Sequence, residues 1–138
     1  MSSKWKKLRK IPILINNPER VSQAEIRVAF RKGGAGNTHS ARTGYYHLTN
    51  INRKAATFLV GNAWLNSTVT ANMNINLTCN AFWNGASVNF YRSGGGCSNT
   101  GEISSVFLHE WGHGMDTNSG GAASEKGSGE ALGDTFSF

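Results

Sequence analysis

Cysteine and proline are scarce in this 138-residue chain, with two of each. The cysteines, Cys79 and Cys97, form no CxxC pair, so neither a cysteine-based zinc site nor a thioredoxin-like motif is supported. No apolar run approaches the roughly 20 residues that a transmembrane helix needs. Proline is few while glycine reaches 17, and the chain is 38% hydrophobic, so the composition is globular rather than disordered or collagen-like. The length suits one domain, and no internal repeat is visible.

Acidic residues are also few, eight against 14 Lys and Arg, for a net charge of +6. The excess is local. Residues 1–32 carry nine Lys/Arg and two Glu, whereas residues 33–138 carry five Lys/Arg and six Asp/Glu. A basic run of Lys4, Lys6, Lys7, Arg9 and Lys10 suits contact with an anionic partner, or a solvated terminus, and the second reading is the commoner one. Beyond Trp5 no aromatic residue interleaves with it, which argues against a nucleic-acid partner. Residues 4–15 have the basic-then-apolar order of an export signal. Their apolar part is short and no small-residue cleavage site follows, so the chain as given carries no convincing signal peptide.

The coarse pattern alternates strands and helices. Ala24, Ile26, Val28 and Phe30 alternate like a strand. Residues 42–60 place Tyr45, Leu48, Ile51, Ala55, Phe58 and Leu59 at helical spacing, with Gly61-Asn62 as the stop. Val69, Ala71, Met73, Ile75 and Leu77 alternate with Thr and Asn, as in a strand with one face buried and one wet. Residues 80–85 read as a turn region, and Val88 and Phe90 mark another short strand. From Glu102 the period becomes helical, a Gly/Ser-rich stretch covers 117–129, and a last helix begins at Glu130.

The chemistry concentrates in His109-Glu110-Trp111-Gly112-His113, an HExxH motif. On a helix, residues i and i+4 share a face, so both imidazoles can reach one ion, with Glu110 beside it as a general base. Two solvated histidines are the bland alternative, but the apolar residues Ile103, Val106 and Phe107 just before the motif argue for a buried helix. A catalytic zinc takes three protein ligands and keeps one position open. The metzincin position for a third His is occupied by Ser119, which excludes that pattern. Asp116 is one candidate; it lies about 10.5 Å beyond His109 on a continuous helix and could bind only if Gly114 broke it. Glu130 is the other, with Asp134 one turn on and able to hold the free N–H of a ligating His. Two histidines and one carboxylate suit zinc among the divalent metals.

These residues resemble the gluzincin zinc peptidases, the thermolysin-like and fungalysin-like enzymes, whose pattern is HExxH followed by a short E-A-x-x-D helix. Here Glu130-Ala131-Leu132-Gly133-Asp134 fits it, and Asn80-Ala81-Phe82-Trp83-Asn84-Gly85 is similar to the edge-strand region beside the active site of that family. The resemblance covers about residues 38–138. It implies an α+β fold with a twisted, mostly antiparallel sheet packed against the HExxH helix, in a zincin-like lobe over 38–138. Residues 1–37 form a basic segment of unknown role. It further implies zinc held by His109, His113 and Glu130, Glu110 as general base, and Asp134 orienting His109. Asn80 and Ala81 would bind the backbone of a peptide substrate, with Phe82 and Trp83 serving the core. Secretion follows from the family and agrees with a Cys79–Cys97 bridge, against which stand two unpaired thiols.

The departures are specific. The stretch between His113 and Glu130 has no Tyr or His to stabilise an oxyanion, and Gly129 stands where the family supports its second ligand with a polar residue. No calcium-binding acidic cluster is visible, and the helical lobe that closes the cleft in the family would lie beyond Phe138. The expectation is a zinc metalloendopeptidase, with a non-catalytic zinc-binding module or pseudoenzyme as the alternative.

Overall fold

Alternating apolar and polar residues make β2, Val69–Ile75, the anchor of the sheet. Val69, Ala71 and Met73 are buried on one face, while Thr70, Asn72 and Asn74 are half-buried on the other. The computed structural model of the chain describes residues 13–16, 38–120 and 128–137. Three more strands complete the sheet: β1 (Ile13–Asn16), β3 (Ala81–Trp83) and β4 (Ser87–Tyr91), in the order β1-β2-β4-β3. The helices are α1 (His39–Phe58), α2 (Ser104–Asn118) and α3 (Ser128–Ser137). This is an α+β fold with a mixed sheet.

The expectation of a mostly antiparallel sheet is corrected. β1 pairs with β2 in parallel, and so does β2 with β4; β3 with β4 is the antiparallel pair. Side-chain alternation has the same period in both kinds of pairing, so the pattern could not tell them apart. The crossover through α1 is what permits β1 and β2 to run the same way. Residues 81–83, read from their pattern as part of a turn, are instead the edge strand. The strand expected around Ala24–Phe30 and the basic run Lys4–Lys10 lie outside the described residues.

α1 starts three residues before its expected boundary because Thr38 caps it, its hydroxyl accepting from the Ala41 N–H at 3.2 Å. It stops at Phe58, before Gly61 turns the chain with φ 89°. Its inner face contributes Ala41 and Leu48 to the core. α2 contributes Phe107, Trp111 and Met115, and the sheet contributes Ala71, Met73, Val88 and Phe90. Both long helices therefore cover one face of the sheet. Phe90 and Phe107 meet with ring centroids 4.4 Å apart across that junction. Each such buried aromatic contributes about 1.5–3 kcal/mol.

Polar bonds fix the depth of α2. The indole N–H of Trp111 donates to Asn52 Oδ1 (3.4 Å), and Asn52 Nδ2 donates to the Leu65 carbonyl (3.0 Å). The opposite sheet face is an asparagine ladder rather than a wet surface: Asn72 Nδ2 donates to Asn89 Oδ1 at 2.7 Å, and Asn89 Nδ2 to the Phe82 carbonyl at 3.1 Å. That last bond ties β3 to its neighbour by a side chain as well as by the ladder.

Candidate metal centre

α2 places His109 and His113 one turn apart, and their Nε2 atoms converge to 3.0 Å. Glu130, in the first turn of α3, reaches both, with Oε2 3.2 Å from His109 Nε2 and Oε1 3.5 Å from His113 Nε2. One donor atom from each of the three residues falls within 4.8 Å of the others, so the group could hold a metal ion. The donor chemistry fits a cation. Two neutral imidazoles with lone pairs turned toward each other repel unless a proton or a cation lies between them. Asp134 Oδ1 stands 3.0 Å from His109 Nδ1. Accepting the proton there leaves Nε2 as the lone-pair atom that faces the group.

Asp116 does not join it. α2 runs unbroken through Gly112 and Gly114 to Asn118, which carries Asp116 beyond reach and buries it. Both glycines sit in the helix at a cost of about 1 kcal/mol each relative to Ala. A Cβ on Gly114 would lie 2.7 Å from Trp64 Cζ2, and one on Gly112 would lie 3.0 Å from the Gly133 Cα. The second contact lets α3 come down on α2 and carry Glu130 to the histidines.

Glu110, next to His109 on α2, lines the same cleft as that residue. It is 6% exposed, and burial pushes its carboxyl above the ordinary carboxylate value. The neighbouring His109 and a hydrogen bond from the Trp83 backbone oppose that rise, while Glu130 adds to it. The Trp83 bond follows from strand register. Tyr91 N–H donates to the Asn80 carbonyl (3.3 Å) and Asn84 N–H to the Ser87 carbonyl (3.2 Å). Bonded pairs alternate along an antiparallel ladder, so the backbone groups of Ala81 and Trp83 turn to the open edge.

An open cleft of about 380 Å³ runs between that edge and the start of α2. Asn80, Ala81, His109, Glu110 and Asp134 all line it. Thus the residues expected to ligate, to act as base, to orient His109 and to meet a substrate are brought to one place. Phe82 and Trp83 are half-buried, Phe82 edge-on to Tyr91 and Trp83 to Trp64. Cys79 and Cys97 are joined, with Cα atoms 5.2 Å apart, directly before the edge strand.

No protein-family model, curated protein or solved structure matches the chain. What the centre can do is therefore read from its own residues. Sequence reasoning overlooked three contributors. Gly112 and Gly133 make the helix contact, and interior helical glycines within both motif segments were the signal. Thr100 carries no motif. Its hydroxyl accepts from Tyr91 N–H at 2.8 Å and lies 3.0 Å from the Asn80 carbonyl, splicing the edge strand to the turn that leads into α2.

Proposed function

We propose that this chain is a zinc metallopeptidase of gluzincin type. The observation that carries the reading is the convergence of His109, His113 and Glu130 within 4.8 Å, with His109 and the buried Glu110 lining a cleft bordered by an open strand edge. An extended peptide adds to β3 through the outward N–H and C=O of Ala81, which sets its carbonyl against the metal group. Zinc held there supplies Lewis acidity to the carbonyl and to water. Glu110 takes the proton of the attacking water and delivers it to the departing amine; a carboxyl shifted upward by burial suits both halves of that task. Asp134 keeps His109 in the ligating tautomer throughout.

A second reading, a zinc-binding module without catalysis, is favoured by one observation. Among the described residues, His109 is the one imidazole lining the cleft, and no Tyr, Lys or Arg lines it to stabilise an oxyanion. The Cys79–Cys97 bridge supports an oxidising, extracytoplasmic setting for either. Among the described residues no helix is long and apolar enough to cross a membrane.

The deciding experiment is hydrolysis of a fluorogenic peptide library with and without chelator. The peptidase reading expects chelator-sensitive cleavage restored by zinc, and a loss of at least about 100-fold in Glu110→Gln with zinc content unchanged. Full zinc loading with no cleavage of any peptide selects the module.

A further inference from the structure

Thr100 opens a short 3-10 turn, Thr100–Glu102, that joins β4 to α2. The turn is held from two sides. Asn99 caps it, its Oδ1 accepting from the Gly101 N–H at 2.9 Å, while its Nδ2 donates to Asn74 Oδ1 on β2 at 2.7 Å. Gly101 is seated so closely on the core that a Cβ there would lie 2.7 Å from Met73 Cε. The turn is therefore fixed to the middle of the sheet, and it presents Thr100 from a rigid base.

From that base the Thr100 hydroxyl enters the ladder where β3 begins. Tyr91 N–H donates to it at 2.8 Å, closer than the 3.3 Å from the same N–H to the Asn80 carbonyl. The hydroxyl oxygen stands 3.0 Å from the Asn80 carbonyl and 3.1 Å from the Tyr91 carbonyl, which compete for its single proton. The Asn80 carbonyl and the Ala81 N–H belong to one trans peptide plane, so they point in opposite directions. A carbonyl drawn toward Thr100 and Tyr91 turns the Ala81 N–H away from β4, to the open edge of the sheet. Thr100, Asn80 and Ala81 line the cleft together.

We propose that Thr100 is a positioning residue for the peptide substrate: its hydroxyl holds the Asn80 carbonyl and thereby aims the Ala81 N–H at a carbonyl of an extended chain laid along β3. The proposal rests on the peptidase reading for the occupant of the cleft. A strand added to an open edge draws its affinity from main-chain hydrogen bonds, and each of these weakens steeply when its donor is misaligned. Without the hydroxyl, the Asn80 carbonyl keeps one long bond to Tyr91 N–H and its peptide plane is free to swing. His109, His113 and Glu130 lie on α2 and α3, so the loss falls on peptide binding rather than on the metal group.

The test uses the zinc-loaded protein, a pentapeptide with an uncleavable ketomethylene link, and acetohydroxamate, a metal-directed ligand too short to run along β3. Thr100→Val keeps the branched shape without the hydroxyl, Thr100→Ala is a second hydroxyl-free variant, and Thr100→Ser restores the hydroxyl. The peptide is expected to bind about fivefold or more weakly to the Val and Ala variants, the worth of one hydrogen bond, and within about twofold of the parent to the Ser variant. Acetohydroxamate should bind all four proteins within about twofold, with zinc content unchanged. Parental peptide affinity in Thr100→Val, a Ser variant as weak as the Val variant, or equal losses of peptide and acetohydroxamate overturns the proposal. Absence of peptide binding to the parent overturns it together with the peptidase reading. Hydrolysis of the cleavable peptide is read in parallel. Its absence while the Val, Ala and Ser variants keep their expected order overturns the catalytic reading alone and upholds the positioning role.

Discussion

Gly112 of α2 and Gly133 of α3 face each other with no side chain between them, so close that a Cβ on Gly112 would lie 3.0 Å from the Gly133 Cα. The same approach lays Gly133 on the His109 ring: a Cβ there would lie 3.0 Å from both Cε1 and Nδ1. The metal group is thus assembled by a backbone-to-backbone contact as much as by its ligands.

Gly133→Ala tests this. A methyl at that point pushes against His109 and lifts α3 by a few tenths of an ångström. Overpacking costs about 1–3 kcal/mol and opposes the roughly 1 kcal/mol that Ala gains as a helix former. The expected outcome is near-parental melting with zinc affinity reduced about tenfold or more, read by competition titration against a chromophoric chelator. Gly112→Ala meets the Gly133 backbone as well as the Phe136 ring, each at 3.0 Å, and is expected to lower both stability and affinity.

Asp134 acts on the metal group through one ring nitrogen. Asp134→Ala removes the acceptor for His109 Nδ1–H, after which the ring is free to rotate or to change tautomer. Zinc affinity is expected to fall about 10–100-fold, as for other partners of ligating histidines. The residue is exposed, so the melting temperature of the metal-free protein should hardly move. A metal-free destabilisation equal to the loss in affinity would count against the orienting role.

Glu110 predicts a pH signature in the metal-free protein. Its folded carboxyl titrates above the ordinary value of 4.5, chiefly because it is buried. A raised folded value means that its contribution is full below the unfolded value and is lost as pH rises through the folded one. Glu110→Gln has no such titration and keeps an acceptor for the Trp83 bond. The variant should therefore melt higher than the parent at pH 7, and the gap should close as pH falls to about 4. Parallel melts at the two pH values without zinc are the measurement.

The site was more legible in the sequence than the sheet. His109, Glu110 and His113 are tied together by helical spacing, and Glu130 and Asp134 by a four-residue offset, so local periodicity sufficed to place them on shared faces. The third-ligand choice between Asp116 and Glu130 turned on whether α2 broke at Gly114. Trp64, packed under that glycine where a Cβ would clash at 2.7 Å, is the tertiary reason for a glycine in a helix that continues. Strand direction was beyond reach, since Val69, Ala71 and Met73 alternate alike in parallel and antiparallel sheets. The residue pattern alone did not show β3 either, although the likeness of residues 80–85 to an edge-strand region pointed to it: three residues are too few to show a period, and their place at the edge depends on pairing with Val88–Phe90.

The cysteine bridge and the metal group are predicted to be separable. Cys79 takes φ 64°, an uncommon conformation for a residue with a side chain, immediately before Asn80, and its partner Cys97 lies three residues before Thr100. Bridge and Thr100 hydroxyl therefore hold the same end of the edge strand, whereas all three candidate metal ligands are on α2 and α3. Replacing both cysteines by serine releases a loop of 18 residues and should cost about 3 kcal/mol of stability. Zinc affinity should stay within about threefold. On the proposed peptidase reading, peptide binding should weaken, because Asn80 and Ala81 are no longer held against the cleft, so a rise in KM with little change in kcat is expected. Loss of zinc binding in the folded double variant would show that strand and metal group are coupled, and would place the bridge within the support of the metal group itself.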